Sequence, residues 1–288
     1  MGFWELLITP LGYDFMVHAL ITTVVASIVC ALLSCWLIMA GWSLMGDAVS
    51  HAVLPGVVLA YIGGFPYVIG ALIFGLGAVV LIGVVRQRTR VREDAAIGIV
   101  FTTLFAIGMV LISVTPSQTD LNHILFGSVL GLSRGDVIQV GVVALLAAAW
   151  MIFKRRDLTL YVFDPGHAQA IGLRPGRMRW TLLIALALTV VVAIQAVGVI
   201  MVVAMLITPG AAAFCLTRRF GLMLVLAPVI AAGCALIGLY GSYYLDLSPG
   251  GSVVVCQGAA FAVAALVGGL RRHAARSRLA ADPVAVAR

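Results

Sequence analysis

Apolar runs of about 17–25 residues recur along almost the whole chain, and they limit the fold more than any single motif does. At about 1.5 Å per helical residue, each run matches a hydrocarbon core roughly 30 Å thick. We place the runs at 15–40, 47–64, 67–85, 94–114, 135–153, 180–197, 198–217, 221–243 and 251–270. The stretch 181–216 is too long for one crossing, so it divides near Gln195 to Gly198. Only 10% of residues are charged, against about 25% in soluble domains. In lipid every backbone amide must be paired internally. The fold expected is therefore an all-α, polytopic membrane helical bundle of about 8–9 transmembrane helices, with 1–270 as one transmembrane domain. The basic stretch 271–288 reads as a disordered cytoplasmic tail.

The arginines test this count. With the N-terminus outside and nine crossings, the inner side receives Arg86, Arg88, Arg90, Arg92, Lys154, Arg155 and Arg156. It also receives Arg174, Arg177, Arg179, Arg218, Arg219 and five arginines from Arg271 onward, leaving only Arg134 outside. This is the positive-inside bias. It explains the net charge of +7 through topology and anionic headgroups rather than nucleic acid. If 120–132 crossed fully, the bias would collapse, so that stretch reads as a re-entrant or interfacial helix. The order of crossings places the C-terminus in the cytoplasm.

Against this background, Gly46-Asp47-Ala48-Val49-Ser50-His51 followed by Pro55-Gly56 stands out. Residues four apart share a helix face, so a carboxylate and an imidazole can address one point. An acid at the centre of a membrane helix costs about 2.5–3.5 kcal/mol on insertion scales, so such a pair points to function. Carboxylate and imidazole together suit a divalent first-row metal. Pro55, Pro209 and Pro228 also lie inside apolar runs, and each frees the carbonyl four residues earlier. Broken helices beside polar groups mark transport pathways.

Other polar residues read more plainly. Asp14 is a candidate N-cap with His18 at the interface, and Glu93-Asp94 a cap for the fourth span. Asp120 and His123 lie in the outer stretch, His167 at the cytoplasmic surface, and Asp246 in an outer turn. Gln195 and Gln257 suit hydrogen bonds between helices, and Met201 and Met205 suit packing. Five cysteines lie in apolar segments without ligand spacing and read as small buried hydrophobes. No GxxxxGK[ST] phosphate loop is present in the sequence, so any ATP chemistry belongs to another subunit. Phe163 to Leu173 reads as a short cytoplasmic helix closed by Gly172 and suited to a partner's cleft.

Five stretches then resemble a known family. They are Ser43 to Gly56 (SLMGDAVSHAVLPG), Asp120 to Gly127 (DLNHILFG), Phe163 to Leu173 (FDPGHAQAIGL), Val197 to Gly210 (VGVIMVVAMLITPG) and Ser242 to Asp246 (SYYLD). Their order and spacing resemble the membrane permease subunit of bacterial ABC importers for manganese, zinc or iron. The resemblance implies a paired permease core, normally a second copy of the chain. It also implies cytoplasmic ATP-binding subunits and an extracytoplasmic metal-binding protein. By position it implies that Asp47 and His51 form the metal path, and that the 164–173 segment, with Asp164, Ala168, Ala170 and Gly172, couples to the ATPase. The cation is then cargo, with no resident cofactor, and the chain itself is no enzyme. The wording of the motifs leans toward manganese. A self-sufficient secondary carrier or channel for divalent ions is the other reading.

Overall fold

The computed structural model describes residues 9–115 and 133–281. The expected re-entrant stretch 120–132, with Asp120 and His123, lies outside the described residues. After a 3-10 turn at Thr9–Gly12, the chain forms α1 (Asp14–Met39), α2 (Ser43–Ala52), α3 (Leu54–Gly63), α4 (Tyr67–Arg88) and α5 (Glu93–Val114). It continues as α6 (Arg134–Phe153), α7 (Arg155–Phe163), α8 (Pro165–Ala170), α9 (Pro175–Val197), α10 (Val199–Leu216), α11 (Phe220–Leu245) and α12 (Pro249–Ala281). No strand occurs among the described residues. The architecture is a polytopic helical bundle.

Eight segments are long and apolar enough to cross a membrane, with α2 and α3 together counting as one. The ninth expected span is α10. Its 18 residues reach roughly 27 Å at 1.5 Å each, slightly short of a full crossing. The division of 181–216 falls at Gly198, whose φ of 83° belongs to a region that glycine enters without a Cβ clash. The run 47–64 is two helices, because Pro55 in the first turn of α3 cannot donate to His51. Helix α12 runs on to Ala281, through the beginning of the stretch expected as a disordered tail. Its Arg, Ala and Leu residues there are good helix formers.

Helix α1 is the hub. It packs on α6, α9, α10 and α11, and Ala26, Cys30, Leu33, Trp36 and Leu37 are wholly buried. Opposite ends of the bundle differ chemically. At one end, Tyr13 meets Tyr243 at 6.3 Å and Tyr61 stacks on Tyr67 at 6.5 Å. At the other, Trp36 meets Phe220 at 5.6 Å, donates from Nε1 to Thr159 at 3.2 Å, and lies close to the arginine-rich turns. Aromatic rings suit an interfacial belt.

Contacts that the sequence pattern did not show hold the bundle together. Pro209 lies inside α10, and Ser34 of α1 binds the backbone on either side of it. Its Oγ donates to the Ile207 carbonyl at 3.2 Å and accepts from the Gly210 N–H at 3.2 Å. Helices α3 and α4 touch backbone to backbone at Gly56 and Gly70. A Cβ on Gly70 would strike the Gly56 carbonyl oxygen and lie 2.9 Å from the Ala60 Cβ. Small residues allow such approaches in membranes, where dispersion drives helix association. Gly70→Ala should therefore lower the thermal midpoint in detergent, with an overpacking penalty of about 1–3 kcal/mol. Gly77→Ala in the same helix, where a Cβ meets nothing within 4 Å, should leave it unchanged or raise it. Equal midpoints for the two variants would contradict the close approach.

Candidate metal site

Helix α2 holds the pair, and its position follows from its packing. Gly46 lets α2 approach α10, where a Cβ would lie 3.3 Å from Leu206 Cδ1. Gly75 of α4 admits Val53 and Val49, and Gly108 of α5 admits the buried Leu54. Met45, Ala48, Val49 and Ala52 are thereby buried. The remaining face carries Asp47 and His51, whose side chains are 34% and 19% exposed.

The i, i+4 spacing does what the sequence implied. His51 Nε2 lies 3.4 Å from Asp47 Oδ1. This is long for a hydrogen bond and leaves the carboxylate free to turn toward a third atom. His51 Nδ1 is buried without a hydrogen-bond partner. The ring is held by shape instead: Phe101 lies 5.3 Å from it and Phe105 stands edge-on at 5.2 Å, both from α5. Aromatic contacts of this kind fix a ring plane. Beyond His51, Pro55 ends the regular ladder, and the Val53 N–H reaches back to Val49 O at 3.3 Å. Ser50 turns its hydroxyl to the Asp47 carbonyl at 2.8 Å and so adds no donor to the site.

Other predicted polar positions stay apart. Among the described residues, no cluster of three or more His, Cys, Asp or Glu could hold a metal ion. One chain thus supplies two donors at this point. Asp14 is the first residue of α1 rather than its cap, which is Tyr13. Glu93 and Asp94 likewise sit in the first turn of α5 behind Arg92, with no capping bond. There Asp94 complements the helix dipole. Gln257 was expected to bridge helices, but both of its buried amide atoms are without partners. All five cysteines are free. Met205 is buried and accepts from Ser27 Oγ at 3.9 Å. His167 is exposed, and Asp246 closes α11 with φ 52°.

Residues 12–268 match the ABC 3 transport family. The chain belongs to that family. It is 49% identical over 262 residues to the manganese transport system membrane protein MntB of Synechocystis sp., covering 91% of this chain and 86% of that one. It is 47% identical over 261 residues to a probable iron transport system membrane protein of Haemophilus influenzae, covering 91% and 96%. Among solved structures, PsaBC from Streptococcus pneumoniae in complex with Fab aligns with a TM-score of 0.83 at 36% identity, covering 91% of this chain and 95% of that one.

In this ABC 3 family member the second predicted element is also formed. Asp164 caps α8, accepting the His167 N–H on Oδ1 at 2.8 Å. Gly172, with φ 90°, turns the chain toward α9. Ala168 is buried, so it packs the helix down, whereas Ala170 is exposed. Phe163 and Ile171, 53% and 58% exposed, present apolar surface beside it. Helix α7, which the sequence pattern did not reveal, ties this unit to the hub through Thr159 and Trp36. From α9, Arg179 lies over the Trp42 ring at 5.6 Å, and Trp42 is the N-cap of α2. A short chain of contacts therefore joins α8 to the helix that carries Asp47.

Removing the α8 cap tests this local order. Asp164→Ala should accelerate amide exchange at His167 roughly fivefold, the equivalent of about 1 kcal/mol for a lost cap, while Asp164→Asn keeps most of the protection. Unchanged exchange in Asp164→Ala would show that the cap does not hold the helix.

Proposed function

We propose that this chain is the transmembrane permease subunit of an ATP-driven importer of divalent transition-metal ions, with manganese as the cargo and zinc or iron as the competing choices. The observation that carries the reading is the Asp47–His51 pair, two metal-compatible donors held on one helix face inside an apolar bundle. Two donors are too few to select an ion. Two copies related by a twofold axis would contribute two carboxylates and two imidazoles, a set suited to Mn²⁺, Fe²⁺ or Zn²⁺. The relatives' names divide between manganese and iron, and the donor set is common to both.

In mechanism, an extracytoplasmic metal-binding protein delivers the ion at the tyrosine-rich end, and the paired Asp47 and His51 side chains replace part of its water shell. Moderate affinity is an advantage here, since an ion bound too tightly does not leave. ATP binding and hydrolysis occur in a separate cytoplasmic subunit seated on α8. Its movement reaches α2 through α9 and the Arg179–Trp42 contact, and alternates the side to which the pair is open. The N-terminus faces outward and the arginine-rich turns face the cytoplasm, in keeping with the positive-inside rule. A self-sufficient secondary carrier or channel would use the same pair without the ATPase.

Metal uptake by cells expressing Asp47→Ala or His51→Ala, with membrane levels matched, should fall by about tenfold or more, as loss of a ligand exceeds the usual effect of losing its supporting shell. Wild-type uptake in both variants would end the site assignment. Reconstituted vesicles should import the ion only when the ATP-binding subunit and ATP are present. Uptake by the chain alone would favour the carrier.

A further inference from the structure

A groove of about 500 Å³ opens between α7 and the first turns of α11, and its walls differ in chemistry. Arg155 and Arg156 form one rim with Thr159, while Phe163, Phe220 and Leu224 form an apolar wall. The two phenylalanine rings meet edge to face at 5.7 Å. Lys154, the neighbouring cation, is paired with Asp157 at 3.3 Å. Neither Arg155 nor Arg156 is paired with an acid among the described residues. Arg218 and Arg219, both exposed, lie immediately before the Phe220 wall.

The position of the groove narrows what can occupy it. Arg155 lies two residues beyond the end of span α6, and Phe220 opens span α11. The rim is therefore at the edge of the hydrocarbon core, and Leu224 is one turn inside it. A ligand that fits must carry negative charge at its polar end and a long apolar body below. Water alone would leave the apolar wall exposed, and a neutral acyl chain would leave the arginines without counter-charge.

We propose that this groove is a binding site for an anionic phospholipid, with the phosphate on Arg155 and Arg156 and one acyl chain against Phe163, Phe220 and Leu224. Guanidinium groups pair with phosphate in a bidentate manner, and basic pockets between membrane helices suit such headgroups. The site rests on membrane insertion alone and is independent of the cargo. Because α7 leads directly into α8 through Asp164, an occupied groove would also steady the platform on which α8 is carried.

The test measures retention of phosphatidylglycerol against phosphatidylcholine by native mass spectrometry of the purified full-length chain, together with the thermal midpoint on adding each lipid. Wild type should retain phosphatidylglycerol preferentially and gain thermal stability from it, but not from inorganic phosphate. Arg155→Gln with Arg156→Gln should weaken that preference roughly 30-fold, from two surface arginines acting together. Leu224→Trp, which fills the slot, should weaken retention with both arginines intact. Arg174→Gln with Arg177→Gln removes equal charge elsewhere and should leave retention unchanged. Equal retention of the two lipids, an equal effect of inorganic phosphate, or equal losses in the two arginine pairs would overturn the proposal. Unchanged retention in the Arg155/Arg156 variant, with loss of a co-purifying ATP-binding subunit, would assign the groove to a protein and overturn it as well.

Discussion

A polar group held at membrane depth must find a partner or a purpose, and most of this structure can be understood from that constraint. The backbone meets it by forming helices, since a helix pairs its own amides within the segment. Pro209 removes one such bond within α10, and Ser34 of the hub helix binds the backbone on either side of it, donating to the Ile207 carbonyl and accepting from the Gly210 N–H. The side chains of Asp47 and His51 meet it only halfway. They lie 3.4 Å apart, and the inner ring nitrogen of His51 has no partner. The pair is thus unsatisfied within one chain, yet its ring is held in place by Phe101 and Phe105.

The packing around α2 serves the same end. Gly46 and Gly75 each remove a side chain where α2 meets a neighbouring helix, and Gly108 does the same for Leu54 at the start of α3, while α2 also packs on α5 and α9. Only the face with the acid and the imidazole remains open. The break at Val53 and Pro55 sets this short helix apart from α3. A ten-residue element can tilt as a unit more easily than one continuous transmembrane helix. The Arg179–Trp42 contact at its start offers the point at which such a tilt could be driven.

Much of this was legible in the sequence because membrane length and helical spacing leave strong local marks. The runs of apolar residues gave the spans, the 181–216 stretch gave the tight turn at Gly198, and Pro55 gave the break after His51. The Asp47–His51 pairing followed from i, i+4 spacing alone. The rest depended on residues far apart in the chain. Phe101 and Phe105 look like two more apolar residues of a lipid-facing span, and only the fold brings them to His51. Ser34 and Pro209 are more than 170 residues apart, as are many partners of the hub helix. Helix α7 was hidden because Arg155-Arg156-Asp157 reads as a charged loop, whereas Leu158 and Thr159 fasten it to α1.

The central claim is that the imidazole of His51 and the carboxylate of Asp47 bind the transported ion directly. Pulsed electron paramagnetic resonance of Mn²⁺ bound to the purified permease tests this without depending on turnover. The account predicts a nitrogen hyperfine coupling from a directly bound ring, retained in wild type and absent in His51→Gln. Bound manganese with no nitrogen coupling, or with a coupling that survives in His51→Gln, would contradict it.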